Sequence, residues 1–319
     1  MGTMGRSDRP GAFTDIGFNN WIDRWAPAVA RPYLRLARLD RPIGTWLLLF
    51  PCWWSLALAH PGWPDLHWLE LFGLFAVGAA VMRAAGCAVN DILDRDLDAQ
   101  VERTRMRPIP SGAVTARQAA VFVVALLLVG LVVLLQLPPM AIGLGMASLV
   151  LVFTYPLMKR ITWWPQAFLG LTFNWGALLG WAAVTNGLAV PAFWLYVAGV
   201  AWTLGYDTIY AHQDKEDDAR IGVKSTALRL GRNSRRWIAG FYGATLAGLA
   251  LAQATAGLNP LFVLGLLAAA GQLGWQLRRW DPDDPGDCLL RFKSNRWFGW
   301  LVLAGIVAGN LPVPAGLGF

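Results

Sequence analysis

Two short runs of this chain carry carboxylates at a spacing that chemistry can use. The first reads Asn90-Asp91-Ile92-Leu93-Asp94-Arg95-Asp96-Leu97-Asp98, and the second Asp207-Thr208-Ile209-Tyr210-Ala211-His212-Gln213-Asp214-Lys215-Glu216-Asp217-Asp218. Residues four apart in a helix lie one above another on the same face. Asn90, Asp94 and Asp98 then share one edge, with Asp91 beside it, and Asp207, Tyr210, Asp214 and then Asp217 or Asp218 share another. Like charges stacked this way repel, so an opposite charge must offset them. Hard carboxylate oxygens suit Mg²⁺, which keeps several waters and takes one or two carboxylates together with substrate phosphates. Arg103, Arg105 and Arg107 follow the first run, and Arg220 and Lys224 the second. Such side chains hold the remaining oxygens of a phosphate. Carboxylates, Mg²⁺ and basic groups together describe a diphosphate site. One acidic cluster alone is as readily a solvated loop; two with the same spacing and the same basic sequel are not.

The elements that must position these runs are membrane helices. The chain is 56% hydrophobic and only 15% charged, against about 25% charged in a soluble domain. A span needs roughly 20 mostly apolar residues. Nine such stretches occur, near residues 43–59, 69–89, 119–135, 140–158, 165–184, 193–211, 237–256, 260–277 and 297–311. The fourth and fifth are barely separated, so eight helices also fit. Lys and Arg lie before the first span, near the second-to-third connection, at Lys159 and Arg160, in the sixth-to-seventh connection and around 278–296. The alternate connections near 59–68, 136–139, 185–191 and 257–259 carry none. The positive-inside rule makes the basic side cytoplasmic, with the N-terminus inside and both acidic runs at that rim. The net charge of +7 therefore reports topology and calls for no nucleic acid. The expectation is an all-α polytopic protein in a bacterial inner membrane, with a tail over residues 1–34 and a single membrane domain over 35–319. Phe18, Trp21, Ile22 and Trp25 recur at helical spacing, which suits a short interfacial helix as well as it suits a tail. Cys52, Cys87 and Cys288 show no paired spacing, so neither a disulfide framework nor a zinc site is indicated.

Other polar residues gather on the same side. Arg83 lies within the second span, two turns before Asn90, and an intramembrane Arg is a functional candidate unless it snorkels to the interface. Asp40 reads as a helix N-cap, and Arg38 and Arg41 as interfacial anchors or ligands. Tyr155, Lys159 and Arg160 end the fourth span, and Asn174 can bond a neighbouring helix. The stretch 107–112, Arg-Pro-Ile-Pro-Ser-Gly, is too rich in helix breakers to extend the second span and predicts a structured loop. The acid-rich 281–287 contains prolines that forbid a helical carboxylate face, and reads as a solvated loop.

The run Asn90-Asp91-x-x-Asp94-x-x-x-Asp98, the segment from Arg103 to Gly112, and Tyr206-Asp207-x-x-Tyr210-Ala211-x-x-Asp214-x-x-Asp217-Asp218 followed by Ile221-Gly222-Val223-Lys224-Ser225-Thr226 together resemble the UbiA family of intramembrane aromatic prenyltransferases. The resemblance runs from about residue 35 to 311. It implies about nine helices around a central cavity open sideways to lipid, and Mg²⁺ as cofactor. Asn90, Asp94, Asp98, Asp214 and Asp218 would be the metal ligands. Arg41, Arg83, Asp91, Arg103, Tyr155, Lys159, Arg160, Tyr210, Asp217 and Lys224 would contact substrates, and Asp207 would act as base. The second motif and the run Tyr155-Pro156-x-x-Lys159-Arg160-x-Thr162-x-x-Pro165-Gln166 are most similar to members that join polyprenyl diphosphate to 4-hydroxybenzoate in ubiquinone biosynthesis. No obligate protein partner is implied. Sister activities on haem, chlorophyllide, homogentisate or naphthoate share the metal chemistry. A secondary transporter fits poorly, because transporters place ionisable groups near the midplane and these acids collect at one face.

Overall fold

A computed structural model describes residues 19–100 and 104–312 and contains helices and connections, with no strand among the described residues. The helices are α1 (Trp21–Trp25), α2 (Arg31–Leu36), α3 (Ile43–Ala59), α4 (Leu66–Asp98), α5 (Ala116–Leu134), α6 (Pro139–Ile161), α7 (Pro165–Asn174), α8 (Gly176–Thr185), α9 (Val190–Ala211), α10 (Lys215–Ile221), α11 (Thr226–Leu230), α12 (Ser234–Ala256), α13 (Phe262–Leu277) and α14 (Pro285–Asn310). Among the described residues, five segments are long and apolar enough to cross a membrane: α4, α5, α6, α7 with α8, and the stretch Thr226–Ala256. The helices α3 and α13 are apolar but shorter. Several spans turn large apolar side chains outward, with Val121 67% and Val150 70% exposed. Water would penalise such surface, and lipid does not. The protein is therefore an all-helical, multi-pass membrane protein, while the expected count of nine spans exceeds the five segments that meet the criterion.

The chain divides into two compact units. One comprises Met1–Pro42 and Val81–Leu128. Here α1 starts where the Asn20 side chain accepts a hydrogen bond from Ile22 N–H at 2.9 Å. The helix α2 ends in a Schellman closure: Arg38 N–H donates to Arg35 O (3.0 Å) and Leu39 N–H to Leu34 O (3.1 Å), with Arg38 at φ 58°. A left-handed conformation costs a non-glycine residue roughly 1–2 kcal/mol. Pro108 and Pro110 keep the connection after α4 from being helical, yet it is ordered by Ser111 N–H to Arg107 O (3.0 Å) and Val114 N–H to Pro108 O (2.9 Å). Its Ile109 and Val114 are buried with Leu36, Ala88 and Ala119. Thr115 and Gln118 then close a capping box on α5, Gln118 N–H donating to Thr115 Oγ1 at 3.2 Å and Thr115 N–H to Gln118 Oε1 at 2.9 Å.

The other unit comprises Ile43–Ala80 and Val129–Phe319. Its centre is aromatic: Trp54 lies 5.1 Å from Trp202, and Trp202 4.9 Å from Phe298, centroid to centroid. The indole donors are satisfied, Trp54 Nε1–H by Gly299 O (2.9 Å) and Trp202 Nε1–H by Asn295 Oδ1 (2.8 Å). The predicted span 165–184 is two helices with a joint at Trp175. Asn174 accounts for the interruption, since its Nδ2–H takes the carbonyl of Gly170 at 2.8 Å, and side-chain bonds to that carbonyl bend helices. The same amide donates to Thr203 Oγ1 of α9 at 2.8 Å, the bond to a neighbouring helix expected of Asn174.

The helices α13 and α14 approach closely enough that a methyl group on Gly265 would overlap the Gly305 backbone. A backbone cannot swing aside as a side-chain tip can. Gly265→Val is therefore expected to push these helices apart at a cost of about 1–3 kcal/mol, read as a lowered unfolding midpoint of the detergent-purified protein; an unchanged midpoint would refute the close contact.

Candidate active site

The first acidic run is the end of one continuous helix. At about 1.5 Å per residue, the 33 residues of α4 extend about 50 Å, against roughly 30 Å of hydrocarbon. The surplus turns carry Asn90, Asp91, Asp94 and Asp98 at fixed one-turn intervals. Three of the four are withdrawn from water, with Asp91 at 0%, Asp94 at 2% and Asp98 at 8% exposure. Buried carboxylates must be paired, and this unit supplies guanidinium groups from two directions. Arg38 Nη2–H donates to both oxygens of Asp91, at 2.7 and 2.9 Å. Arg107 Nη1 lies between two acids, 3.4 Å from Asp91 Oδ1 and 2.8 Å from Asp98 Oδ2. Breaking a buried pair of this kind by removing one partner costs about 3–5 kcal/mol. Thr104 Oγ1–H donates to the Asp98 carbonyl at 2.8 Å, tying the helix end to the Arg107 loop. Arg83 sits half-buried on α4. Asp40 does not cap α3: among the described residues its carboxylate oxygens accept no hydrogen bond, and Arg41 Nε lies 3.8 Å from Oδ1. Arg103 lies outside the described residues.

The second acidic run differs from the expected single face. The helix α9 ends at Ala211, and a separate short helix, α10, begins at Lys215 with Asp214 at its N-cap position. Asp207 and Tyr210 thus belong to one helix, and Asp217 and Asp218 to the first turn of another. The break has an electrostatic reason. Glu216, Asp217 and Asp218 fall in the first turn of α10, where the helix dipole favours negative charge; an α9 unbroken through Ile221 would put them near its C-terminal end, where the dipole opposes it. His212 in the joint packs edge-on to Trp280 at 5.1 Å and shares a hydrogen bond with Ser234 Oγ at 3.0 Å. Burial, reinforced by Lys215, pushes its imidazole down to about 4, so it is neutral at physiological pH. Tyr210 rests against Phe292 at 4.4 Å, and Asp217 pairs with Arg220 at 3.3 Å.

The structure brings together basic candidates that the sequence keeps far apart. Lys224 N–H donates to the Lys159 carbonyl at 2.9 Å, and Lys224 Nζ donates to the Ile161 carbonyl at 3.0 Å. Thr226 N–H donates to Gln166 Oε1 (3.1 Å), and the hydroxyls of Thr208 and Thr226 meet at 2.7 Å. These bonds fasten the segment after α10 to the ends of α6, α7 and α9 and bring the Lys224 backbone beside that of Lys159. Gln166 and Thr226 were not singled out as candidates; their signal was their place at the ends of the two motif runs, Pro165-Gln166 and Ser225-Thr226.

Among the described residues, no three His, Cys, Asp or Glu side chains converge as a ready-made metal cage. The carboxylates of the two motifs are hard oxygen donors, which fit a divalent cation that completes its shell with water and phosphate.

The fold and these motifs define a multi-pass membrane protein with acidic and basic groups suited to a phosphorylated substrate. Comparison with known proteins narrows the class. The UbiA prenyltransferase family matches residues 48–309. The mitochondrial 4-hydroxybenzoate polyprenyltransferase of Arabidopsis thaliana is 53% identical over 294 residues, 91% of this chain and 72% of that protein. Its counterpart in Homo sapiens is 52% identical over 290 residues, 90% of this chain and 77% of that protein. A UbiA homolog from Aeropyrum pernix K1 shares the fold at a TM-score of 0.66 and 23% identity, covering 83% of this chain and 96% of that one. A homolog from Archaeoglobus fulgidus bound to GPP and Mg²⁺ superposes at 0.60 and 17% identity, covering 86% and 99%. The chain belongs to the UbiA prenyltransferase family. Both named relatives are mitochondrial, so they lend no support to the expected bacterial inner membrane.

The expected loop 281–287 is a loop only over residues 281–284, which are largely exposed; Pro285 opens α14, with Asp284 at its N-cap and Asp287 in its first turn. Asp283 pairs with Lys215 of α10. The Lys215 hydrogen bond and charge hold the Asp283 carboxyl below its ordinary value. A depressed carboxylate stabilises the fold above the ordinary value near about 4 and loses that contribution as pH falls through the folded-state value. Asp283→Asn should unfold at a slightly lower temperature than wild type at about pH 7, with the gap closing below about pH 4. Thermal scans in detergent across that range check it; a gap that widens with acid would contradict the pairing.

Proposed function

We propose that this protein transfers a polyprenyl chain from polyprenyl diphosphate to the ring carbon ortho to the hydroxyl of 4-hydroxybenzoate, releasing diphosphate, as a step of ubiquinone biosynthesis. The observation that carries the reading is 53% and 52% identity, over about nine-tenths of the chain, to relatives named for that activity. The residues we assign to a Mg²⁺–diphosphate are Asn90, Asp94 and Asp98 of the first motif and Asp214 and Asp218 of the second. The choice of Mg²⁺ is supported by their hard oxygen donors and by the Mg²⁺ held by the A. fulgidus homolog. When bound, the ion offsets the charge that grows on the leaving diphosphate. Lys159, Arg160, Lys224 and Arg103 take the remaining phosphate oxygens, with Tyr155, Tyr210 and Asp217 as further substrate contacts.

The allylic C–O bond breaks with its electron pair leaving on diphosphate. The ring carbon ortho to the hydroxyl supplies the pair for the new C–C bond. The ring proton passes to a carboxylate, which we assign to Asp207, and its bonding pair restores aromaticity. Apolar spans house the isoprenoid and exclude the water that would quench the cation. Arg41 or Arg83 pairs with the benzoate carboxylate. Residues 35–319 act as one membrane domain, and the basic connections place its acidic rim on the inner side. We assign that side to the cytoplasm of a bacterial inner membrane; the mitochondrial relatives favour an organellar membrane as the second reading, and cell fractionation separates the two.

Asp94→Asn and Asp214→Asn are each expected to lower prenylation of 4-hydroxybenzoate by about 10²–10³, the scale for removing one group that stabilises developing charge. Chelation by EDTA should abolish the wild-type rate, and added Mg²⁺ should restore it. Labelled prenyl diphosphate and purified protein in detergent make the measurement. Wild-type turnover in either variant would remove that motif from the metal site, and consumption of a different aromatic acceptor would reassign the substrate.

A further inference from the structure

Arg38 occupies a position where the backbone favours glycine. It follows the last turn of α2 at φ 58°, inside the pair of hydrogen bonds from Arg38 N–H to Arg35 O and Leu39 N–H to Leu34 O. Glycine is the usual residue at this point of such a closure, because it lacks the Cβ that strains the left-handed conformation. Within the turn the side chain makes a long bond, Nη1–H to the Arg35 carbonyl at 3.4 Å. Its short bonds are to Asp91: Nη2–H donates to Oδ1 at 2.7 Å and Oδ2 at 2.9 Å. The Asp91 side chain is fully enclosed and that of Arg38 is 10% exposed. A strained residue that persists beside a functional motif points to a role for its side chain.

The same contact bears on what Asp91 can do. Both of its oxygens accept from Arg38, and Arg107 stands 3.4 Å from Oδ1. A metal ligand must present a lone pair to the ion, and here the carboxylate is already turned toward two guanidinium groups. Asp91 directly follows Asn90 in the chain and precedes Asp94 by less than one helical turn. Fixing Asp91 therefore fixes the rotation of the final turns of α4 about the helix axis. That rotation decides where Asn90, Asp94 and Asp98 point.

We propose that Arg38 is a positioning residue of the prenyl-transfer site: it clamps Asp91, and Asp91 serves as the strut that aims Asn90, Asp94 and Asp98 at the Mg²⁺–diphosphate instead of serving as a ligand itself. The proposal rests on the reading of the first motif as a Mg²⁺–diphosphate site. Arg38→Gly suits the positive φ and keeps both main-chain bonds of the turn; it removes the clamp together with the long side-chain bond to the Arg35 carbonyl.

The test compares full-length wild type, Arg38→Gly, Arg38→Lys, Asp91→Asn and the Arg38→Gly/Asp91→Asn double variant in detergent. Calorimetric binding of geranyl diphosphate in the presence of Mg²⁺ is measured beside the KM for 4-hydroxybenzoate and the unfolding midpoint. Arg38→Gly should weaken Mg²⁺–geranyl diphosphate binding by about tenfold or more, the scale for losing a residue that orients metal ligands, with the acceptor KM within about twofold of wild type. Arg38→Lys, which keeps charge but not the guanidinium reach, should fall between. Asp91→Asn should match Arg38→Gly, and the double variant should be no worse than either single change, as for two residues acting through one contact. Binding by folded Arg38→Gly within twofold of wild type overturns the proposal, as do losses that multiply in the double variant. If Arg38→Gly does not fold, wild-type binding by Arg38→Lys overturns it instead. Failure of the wild type itself to bind geranyl diphosphate with Mg²⁺ removes the underlying site reading, a result distinct from any of these.

Discussion

A carboxylate taken out of water has to meet a cation, and in the first structural unit that requirement organises almost everything else. Asp91, Asp94 and Asp98 are all at least nine-tenths buried. Three such charges along one helix edge would unfold the helix end if left unopposed. The chain answers from both sides in sequence. Upstream, it bends through a strained turn to bring in Arg38. Downstream, it makes a proline-bounded loop that brings in Arg107. The small apolar cluster of Leu36, Ala88, Ile109 and Val114 packs these two deliveries against α4. Its contribution is to hold the arginines in place as much as to bury area.

The second unit meets the apolar environment by another route. Its interior polar groups are mostly neutral and close on one another. Tyr242 OH donates to Gln276 Oε1 at 2.5 Å, Gln276 Nε2–H reaches Asn295 Oδ1 at 3.1 Å, and the same oxygen accepts from Trp202. Four helices, α9, α12, α13 and α14, are joined through that network without burying a charge. The exception, Arg291, is satisfied by Asp287 at 2.9 Å, by the Trp275 carbonyl at 2.7 Å and by the Trp275 ring at 4.2 Å. Asp214, Asp217 and Asp218 of the second motif are kept at a helix start, where the backbone itself offsets them, while Asp207 stays on α9.

What was legible in the sequence follows from which forces are local. Apolar stretches and the breaker-rich 107–112 report local structure: the chain is helical and the loop is ordered where those patterns put them, but the patterns did not show the joint at Trp175 that divides the stretch 165–184. The run from Asn90 to Asp98 has no breaker, so its helix continues through Asp98. The break after Ala211 was not legible, because residues 207–218 contain neither Gly nor Pro; only the summed charge at the start of α10 favours it. Arg38 was unreadable for a different reason. Its role needs a positive φ at a non-glycine residue and a partner 53 residues away, and neither leaves a trace in local spacing. Asp40 misled because a cap is defined by a donor in the folded chain, which residue type alone does not supply.

The two motifs, similar as strings, are therefore different devices. On α4 the one-turn spacing is literal: a rigid rod repeats Asn90, Asp94 and Asp98 along one edge, and a single clamp on Asp91 can aim all three. In the second motif the same spacing is split by a joint, so Asp207 and Tyr210 take their orientation from α9, and Asp214, Asp217 and Asp218 take theirs from α10. The joint has a use that an unbroken helix could not provide. It turns the chain back so that Lys224 N–H donates to the Lys159 carbonyl, which brings together the backbones of two basic residues far apart in the chain. A rod holds its carboxylates at one fixed geometry, while the joint between the 22-residue α9 and the 7-residue α10 lets Asp207 and Asp214 be aimed independently.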